Sequence, residues 1–411
     1  MYQKLRILSY DRSLDVEEEY RKRIESPSTT VTDLVITPYS QQKEAKVTGK
    51  KYPLFYTILP QILNLIEEVH ILSRDIRDYA NRLPDVALDY LTISQLIDEM
   101  KSTNDIEGVK STKQELNEAI EAQNTQEEVR FKQSVKTYLR VMEEGKVTIS
   151  QLRDFRDLYN DTVLEEIDEQ DLPDGELFRS KNVSIVDTKN QSVVHRGNVD
   201  ESAINRDLQL LINYMNNDSE SFLIKAIITH YYFEYIHPFY DGNGRLGRFL
   251  MTSYLSDKLD LLSALSISES IFHDKNKYEK AFIEVSTPNN FGEITFFIID
   301  MLEIIAKGQK MTRNSIMEAE LKLNSLYYYL NQSEDLNDDQ RSILFVMIQH
   351  DLFDTTNSHL TNQKLVEISP NYSRRKLNKI MIALEEKNYL TKVKHKPTTY
   401  TLNLDMIPLY D

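Results

Sequence analysis

The chain has 411 residues, enough for roughly two or three domains around a sizeable core. It contains no cysteine, which excludes disulfide frameworks and thiolate metal sites. Its net charge of -16, from 65 acidic against 49 basic residues, argues against binding nucleic acid or an anionic membrane over the whole surface.

The N-terminus, Met1-Tyr-Gln-Lys-Leu-Arg6, lacks the apolar core of a signal peptide, and no apolar run reaches about 18 residues. A cytoplasmic protein without a membrane span is expected. Residues 1–50 read as less regular, with a Ser/Thr/Pro stretch from Ser26 to Thr32, and are expected to form an arm packed on the core or on another subunit. Apolar residues then recur at helical spacing in Ile62 to Ile76, Val86 to Met100 and Val129 to Met142. Glycine and proline are scarce, so the bulk should be helical. Asp154 to Glu176 is acidic and reads as a solvated segment.

Within Phe178 to Asp200, the β-branched runs Asn182–Val186 and Ser192–Val194 flank polar Asp187–Gln191, which predicts a hairpin. Ser221 to Ile236 is apolar except at Lys225, Glu234 and a few hydroxyl or imidazole groups, as suits a helix buried on most sides. His237 stands where that helix should end. Pro238 biases it out of the helical region, so the imidazole is presented from a turn, a good place for a general base.

Residues 237–248 read His-Pro-Phe-Tyr-Asp-Gly-Asn-Gly-Arg-Leu-Gly-Arg. Gly242, Gly244 and Gly247 cluster here, implying a backbone shape or close ligand approach that side chains would block. The pattern from Arg245 to Leu255 is helix-compatible, which puts the Gly-Asn-Gly turn at a helix N-terminus, where free N–H groups form an anion site. Arg245 and Arg248 would share one face and offer two-pronged donors to phosphate oxygens. Asp241 is a hard oxygen ligand suited to Mg²⁺ shared with a nucleotide. Base, metal ligand and anion cradle together describe phosphoryl or nucleotidyl transfer.

This segment resembles the Fic motif, His-Pro-Phe-x-Asp-Gly-Asn-Gly-Arg-x-x-Arg, at every fixed position. The resemblance implies an enzyme that binds ATP with Mg²⁺, or Mn²⁺ in its place, and moves AMP onto a hydroxyl of a target protein, releasing pyrophosphate. His237 would then be the base, Asp241 the metal ligand, and Gly242, Asn243 and Gly244 the anion hole. Arg245, Leu246, Gly247 and Arg248 complete the ATP and phosphate segment, while Phe239 packs into the core. Thr103-x-x-x-Glu107-Gly108 is similar to the family's inhibitory motif, although a hydroxyl, a Glu and a closing Gly are also ordinary helix-capping residues. On the inhibitory reading Glu107 pairs with Arg248 and misplaces ATP.

The same resemblance makes the predicted hairpin a flap that clamps the target backbone, with Val183, Ile185 and His195 as candidate contacts. Tyr278 would border the adenine, or serve the core as one Tyr among 24. The family's Asn-Arg pair is replaced by Asp274-Lys275. His230 is read as a core histidine.

In the last eighty residues, Asp338–His350, Leu360–Glu367 and Ser373–Lys387 read as helices, followed by strands Leu390–Lys394 and Thr398–Leu402. Leu377, Ile380, Met381 and Leu384 would face inward. This order resembles a winged helix. Arg374, Arg375, Lys376, Lys379, Lys387, Lys392, Lys394 and Lys396 stand against only Glu385 and Glu386, a local charge reversal. Arg374, Arg375 and Lys376 open the third helix, where DNA contacts are expected; protein docking is the alternative.

The expected fold is mainly α: a Fic-type helical core with a β-hairpin flap, plus a C-terminal winged-helix-like domain. The expected division is 1–120 as a helical region carrying the inhibitory motif, 121–310 as the catalytic core, 311–335 as a connection and 336–411 as the winged-helix-like part. The function expected is autoinhibited AMP transfer to a protein, self-modification included, by a homo-oligomer. A DNA-binding regulator with a nucleotide-sensing core, removal of AMP and a donor other than ATP are the alternatives.

Overall fold

The computed structural model describes residues 2–145, 147–186, 192–217, 219–353, 360–395, 398–403 and 405–407. The predicted turn Asp187–Gln191 and the basic residue Lys396 lie outside them. The chain divides into two compact units, residues 1–73 with 98–309, and residues 74–97 with 310–411. Residues 98–120 thus share a unit with the 237–248 segment. No helix among the described residues is long and apolar enough to cross a membrane.

The first unit does not begin with an irregular arm. Helices α1 (Leu5–Leu8) and α2 (Val16–Ile24) lead into strand β1 (Thr29–Ile36), which takes up Thr29 to Thr32 of the Ser/Thr/Pro stretch. Thr32, Leu34 and Ile36 are buried while Val31, Asp33 and Val35 face out, a period-two pattern that the hydroxyl residues obscured. Short strands β2 (Tyr39–Ser40) and β3 (Ala45–Lys46) form a hairpin, and β4 (Tyr52–Thr57) pairs antiparallel with β1, Thr29 opposite Thr57 and Ile36 opposite Tyr52. Buried Arg23 pairs with Glu293 at 3.0 Å, so the segment is tied in by charge as well as by apolar packing.

Helices α3 (Pro60–Ala80), α4 (Asp85–Glu107), α5 (Lys113–Ala122) and α6 (Lys132–Glu144) follow. Helix α4 runs a full two turns past Met100 and is closed by Gly108 at φ +77°, with Val109 N–H donating to Asn104 O at 2.9 Å. Helix α7 (Leu152–Thr162) corrects the reading of Asp154–Glu176 as solvated. Its charges line one face, and Phe155, Leu158, Tyr159 and Thr162 on the other are buried.

Strands β5 (Ser184–Val186) and β6 (Val193–Arg196) form the predicted hairpin, Ile185 opposite His195. Helices α8 (Glu201–Met215), α9 (Phe222–Ile236) and α10 (Asn243–Lys258) come next, with α9 buried nearly all round between its neighbours. A fully buried Leu or Ile there contributes about 1.5–3 kcal/mol. Helices α11 (Leu261–Leu265), α12 (Ile267–His273), α13 (Lys275–Ser286) and the long α14 (Thr295–Gln332) complete the first unit and lead into the second.

In the second unit, α15 (Asp338–Phe353), α16 (Asn362–Ile368) and α17 (Arg374–Glu386) precede strands β7 (Leu390–His395) and β8 (Thr398–Leu402). Leu377, Ile380, Met381 and Leu384 are buried against a core that includes Ile343, Leu344 and Leu365. Thr361 forms an isolated antiparallel bridge with Thr399.

Candidate functional site

Helix α9 ends where Pro238 forbids another helical turn. His237 caps it in the left-handed region, φ 54° and ψ 66°, its N–H donating to Phe233 O at 3.0 Å. A histidine tolerates this conformation only if its surroundings hold it, and Arg179 does so. Fully buried, its guanidinium donates to His237 O at 2.8 Å, Asn198 O at 2.7 Å, Ile236 O at 3.3 Å and Lys181 O. Those carbonyls belong to the His237 turn and to both ends of the β5–β6 hairpin. Gly197 leaves the room, since a Cβ there would lie 2.5 Å from Arg179 Nη2 and 3.1 Å from His237 Cβ.

The loop after His237 is shaped by Asn243. Phe239 N–H donates to Asn243 Oδ1 and Asn243 Nδ2 donates to Phe239 O, both at 2.9 Å. Phe239 is fully buried, stacked on Tyr159 with centroids 3.8 Å apart. Gly242, at φ +81°, turns the chain into α10. Asp241 is half-exposed; its Oδ1 accepts from Gly242 N–H at 2.6 Å and its Oδ2 lies 3.7 Å from Arg245 Nη2.

Three residues of α4 spaced by four meet α10 in order, as one helix face must. Buried Glu99 accepts from Thr252 Oγ1 at 3.0 Å, Ser268 N–H at 2.8 Å and Ser268 Oγ at 2.6 Å. Thr103 Oγ1 accepts from Arg248 Nε at 2.8 Å and its carbonyl from Arg248 Nη2 at 3.1 Å. Glu107 Oε1 accepts from Arg248 Nη2 at 2.7 Å. The Glu107 carboxylate also lies over the first turn of α10, whose free N–H groups favour an anion. Lys275 Nζ donates to Ile106 O, holding the end of α4.

A cavity of about 280 Å³ opens between α4, the hairpin, α9, α10 and α13. Glu107, Glu234, His237, Gly244, Arg248 and Tyr278 line it, with Ile185, Val186, Tyr231 and Phe282 as apolar walls. Burial, helped by the charge of Arg179, pushes His237 down to about 4 and leaves it neutral at pH 7, against the weaker upward pull of its hydrogen bond to Glu234 O and of the Glu107 charge. Desolvation opposes the charge on Glu107, but Arg248 outweighs it and holds the carboxyl below its usual range. Burial and the like charge of Glu107 raise Glu234 to about 8.

The cavity thus gathers His237, Gly244, Arg248, Tyr278 and Glu107 from the residues singled out in the sequence, and Thr103 stands behind Arg248. It does not gather the rest of the 237–248 segment. Arg245 is buried and turned to Glu166, 3.1 Å away, instead of sharing a face with Arg248. Leu246 is in the core, and Gly247 is the close-packing point of α10 on α9, where a Cβ would meet Glu234 Oε1 at 2.4 Å. The Asn243 side chain is committed to Phe239, so only its main chain faces the helix N-terminus. Tyr278 shares a 2.7 Å hydrogen bond with the core histidine His230. Of the hairpin candidates, Ile185 and His195 line the cavity, His195 with its Nε2 2.8 Å from Tyr235 O, and Val183 O accepts from Gly197 N–H. Arg374 and Arg375 are exposed, whereas Lys376 is engaged by Asp339 at 2.8 Å.

Sequence reasoning missed Glu99, Glu166, Arg179 and Glu234. Glu99 and Glu234 carried a signal, a carboxylate inside an otherwise apolar helix face; Arg179 and Glu166 had none.

Residues 149–255 match the Fic/DOC family. A probable protein adenylyltransferase of Aquifex aeolicus is 31% identical over 112 residues, which is 27% of this chain and 30% of that protein. Among solved structures, a Fic family protein from Desulfovibrio desulfuricans is 20% identical, covering 85% of this chain and 97% of its own, with a TM-score of 0.49. A Fic domain containing signaling protein from Bacteroides thetaiotaomicron is 16% identical, covering 63% and 96%, with a TM-score of 0.44.

Proposed function

We propose that this chain is a protein adenylyltransferase held at low activity by Glu107. The observation that carries the reading is the neutral His237 imidazole at the wall of a cavity that also holds Arg248 and the N-terminus of α10. His237 takes the proton of a target hydroxyl at Nε2. The hydroxyl oxygen attacks the α-phosphorus of ATP, the bond from that phosphorus to the bridging oxygen breaks, and pyrophosphate leaves with the electron pair. The first-turn N–H groups of α10 and, once freed, Arg248 stabilise the phosphate charge.

Mg²⁺ takes one or two carboxylates and fills its remaining positions with water and phosphate oxygens. Half-exposed Asp241, adjoining the helix N-terminus, fits that donor set. When bound, the ion would neutralise pyrophosphate charge. Among the described residues no three His, Asp or Glu side chains gather into a cage, which suits an ion that arrives with the nucleotide.

The test is incubation of wild type, Glu107→Gly and Glu107→Gly/His237→Ala with ATP labelled at the α-phosphate, counting label on the protein and on a lysate. Label with Glu107→Gly alone is expected. No label from any folded variant would overturn the reading and favour removal of AMP or another donor.

A second reading rests on exposed Arg374 and Arg375 at the start of α17, third helix of a winged-helix-like order. A salt-sensitive gel shift on duplex DNA, lost on reversing both charges, would support a DNA-binding unit.

A further inference from the structure

Glu234 lies one helical turn before His237 and is not used by the transfer step as written. Its carbonyl is 3.3 Å from His237 Nδ1 and its Oε2 is 3.7 Å from the same nitrogen. Main chain and side chain of one residue therefore both address Nδ1, which leaves Nε2 as the ring atom open to a hydroxyl. The other carboxylate oxygen, Oε1, is buried without a hydrogen-bond partner in the notch that Gly247 leaves between α9 and α10. A buried carboxylate that is neither paired nor capped is costly, and such groups gather where chemistry needs them.

The charged groups facing this pair come from three other elements: Glu107 of α4, Arg248 of α10, and Arg179 before the hairpin. Arg248 is a single cation facing two carboxylates. With Glu107 seated on it, a second negative charge on Glu234 is opposed; with Glu107 displaced by nucleotide, Glu234 is the carboxylate left facing Arg248 and His237.

Resting on the transferase reading, we infer that Glu234 is the positioning residue of His237: it fixes the Nδ1–H tautomer and supplies the negative charge that balances the imidazolium formed during transfer. The hydroxyl proton goes to Nε2 and no proton moves to Glu234. One anionic charge is thus kept in the cavity throughout, on Glu107 at rest and on Glu234 in action.

The test compares Glu107→Gly with Glu107→Gly/Glu234→Gln, an isosteric change, by two readouts. The first is the ¹³C titration of the Glu234 carboxyl without substrate, assigned by its loss in the amide variant, whose midpoint should fall by about one pH unit from wild type to Glu107→Gly. The second is transfer from ATP, where kcat should fall roughly tenfold or more while KM for ATP holds within about twofold. Glu107→Gly/Glu234→Asp should recover part of kcat. A Glu234 midpoint that does not fall when Glu107 is removed overturns the inference, whatever the rates. If Glu107→Gly itself transfers nothing, the transferase reading fails, while the titration still decides the role of Glu234.

Discussion

The carboxylate of Glu107 lies where a side chain on Gly244 would begin. Its Oε1 is 2.0 Å from the position of a Cβ at 244, and Arg248 Nη2 holds the same oxygen at 2.7 Å. The protein's own carboxylate fills the seat that the helix N-terminus and the guanidinium make for an anion. A phosphate competing for that seat must displace it. Glu107→Gln keeps the shape and removes the charge, so affinity for a non-hydrolysable ATP analogue should rise about tenfold by calorimetry. Equal affinities would show that the nucleotide does not meet Glu107.

The seating of Glu107 depends on the two contacts behind it. Glu99 and Thr103 fix the helix face on which Glu107 rides, and Glu99 is the deepest anchor, with three donors. Glu99→Ala should lower stability by about 1–3 kcal/mol, because Thr252 and Ser268 lose a buried acceptor. It should nevertheless raise basal AMP transfer, since α4 loosens from α10. The gain should vanish in a Glu107→Gly background. A rate that falls in both backgrounds would mean that Glu99 serves the core alone.

The His237 turn and its helices were legible because local chemistry dictates them. Pro238 stops α9, Gly242 turns the chain, and the buried positions Leu377, Ile380, Met381 and Leu384 at helical spacing mark α17. Apart from the Arg248–Glu107 pair, which the resemblance named, contacts made across the fold were not legible. Arg245 and Arg248 read alike in the sequence, yet one is claimed by Glu166 from a turn that looked solvated and the other by Glu107. The β1 strand hid because Thr29, Thr30 and Thr32 carry hydroxyls, and Thr32 spends its own on Leu54 O. Partners that lie tens of residues away leave no periodicity to read.

Six buried titratable groups set opposing pH trends. Burial lowers His195 and His230 to about 3 and His237 to about 4, below the unfolded value near 6.5. Their contribution is whole above pH 6.5 and is lost as pH falls through those folded values. Burial raises Glu99 and Glu166 to about 7 and Glu234 to about 8, above the unfolded value near 4.5. Their contribution is whole below pH 4.5 and is lost as pH rises through 7 to 8. The urea midpoint should therefore be highest between about pH 4.5 and 6.5 and fall on both sides. A midpoint that rises steadily from pH 6 to 8 would contradict the buried, neutral carboxyls.

Arg179 offers the sharpest separation of position from chemistry. It has no acidic partner at hydrogen-bond distance among its contacts; its donors go to carbonyls of the His237 turn and of the hairpin ends, and burial lowers it to about 10. Arg179→Met fills similar volume but leaves those carbonyls unsatisfied, at about 2–4 kcal/mol. Arg179→Lys retains charge but offers one nitrogen to acceptors that a planar fork reached together. In the Glu107→Gly background both should reduce transfer by about a hundredfold, because His237 loses the hold on its left-handed conformation. Arg179→Lys should lose less stability than Arg179→Met while losing as much activity, measured by urea midpoint beside label transfer. Full activity in Arg179→Lys would show that the charge, not the fork, serves the turn.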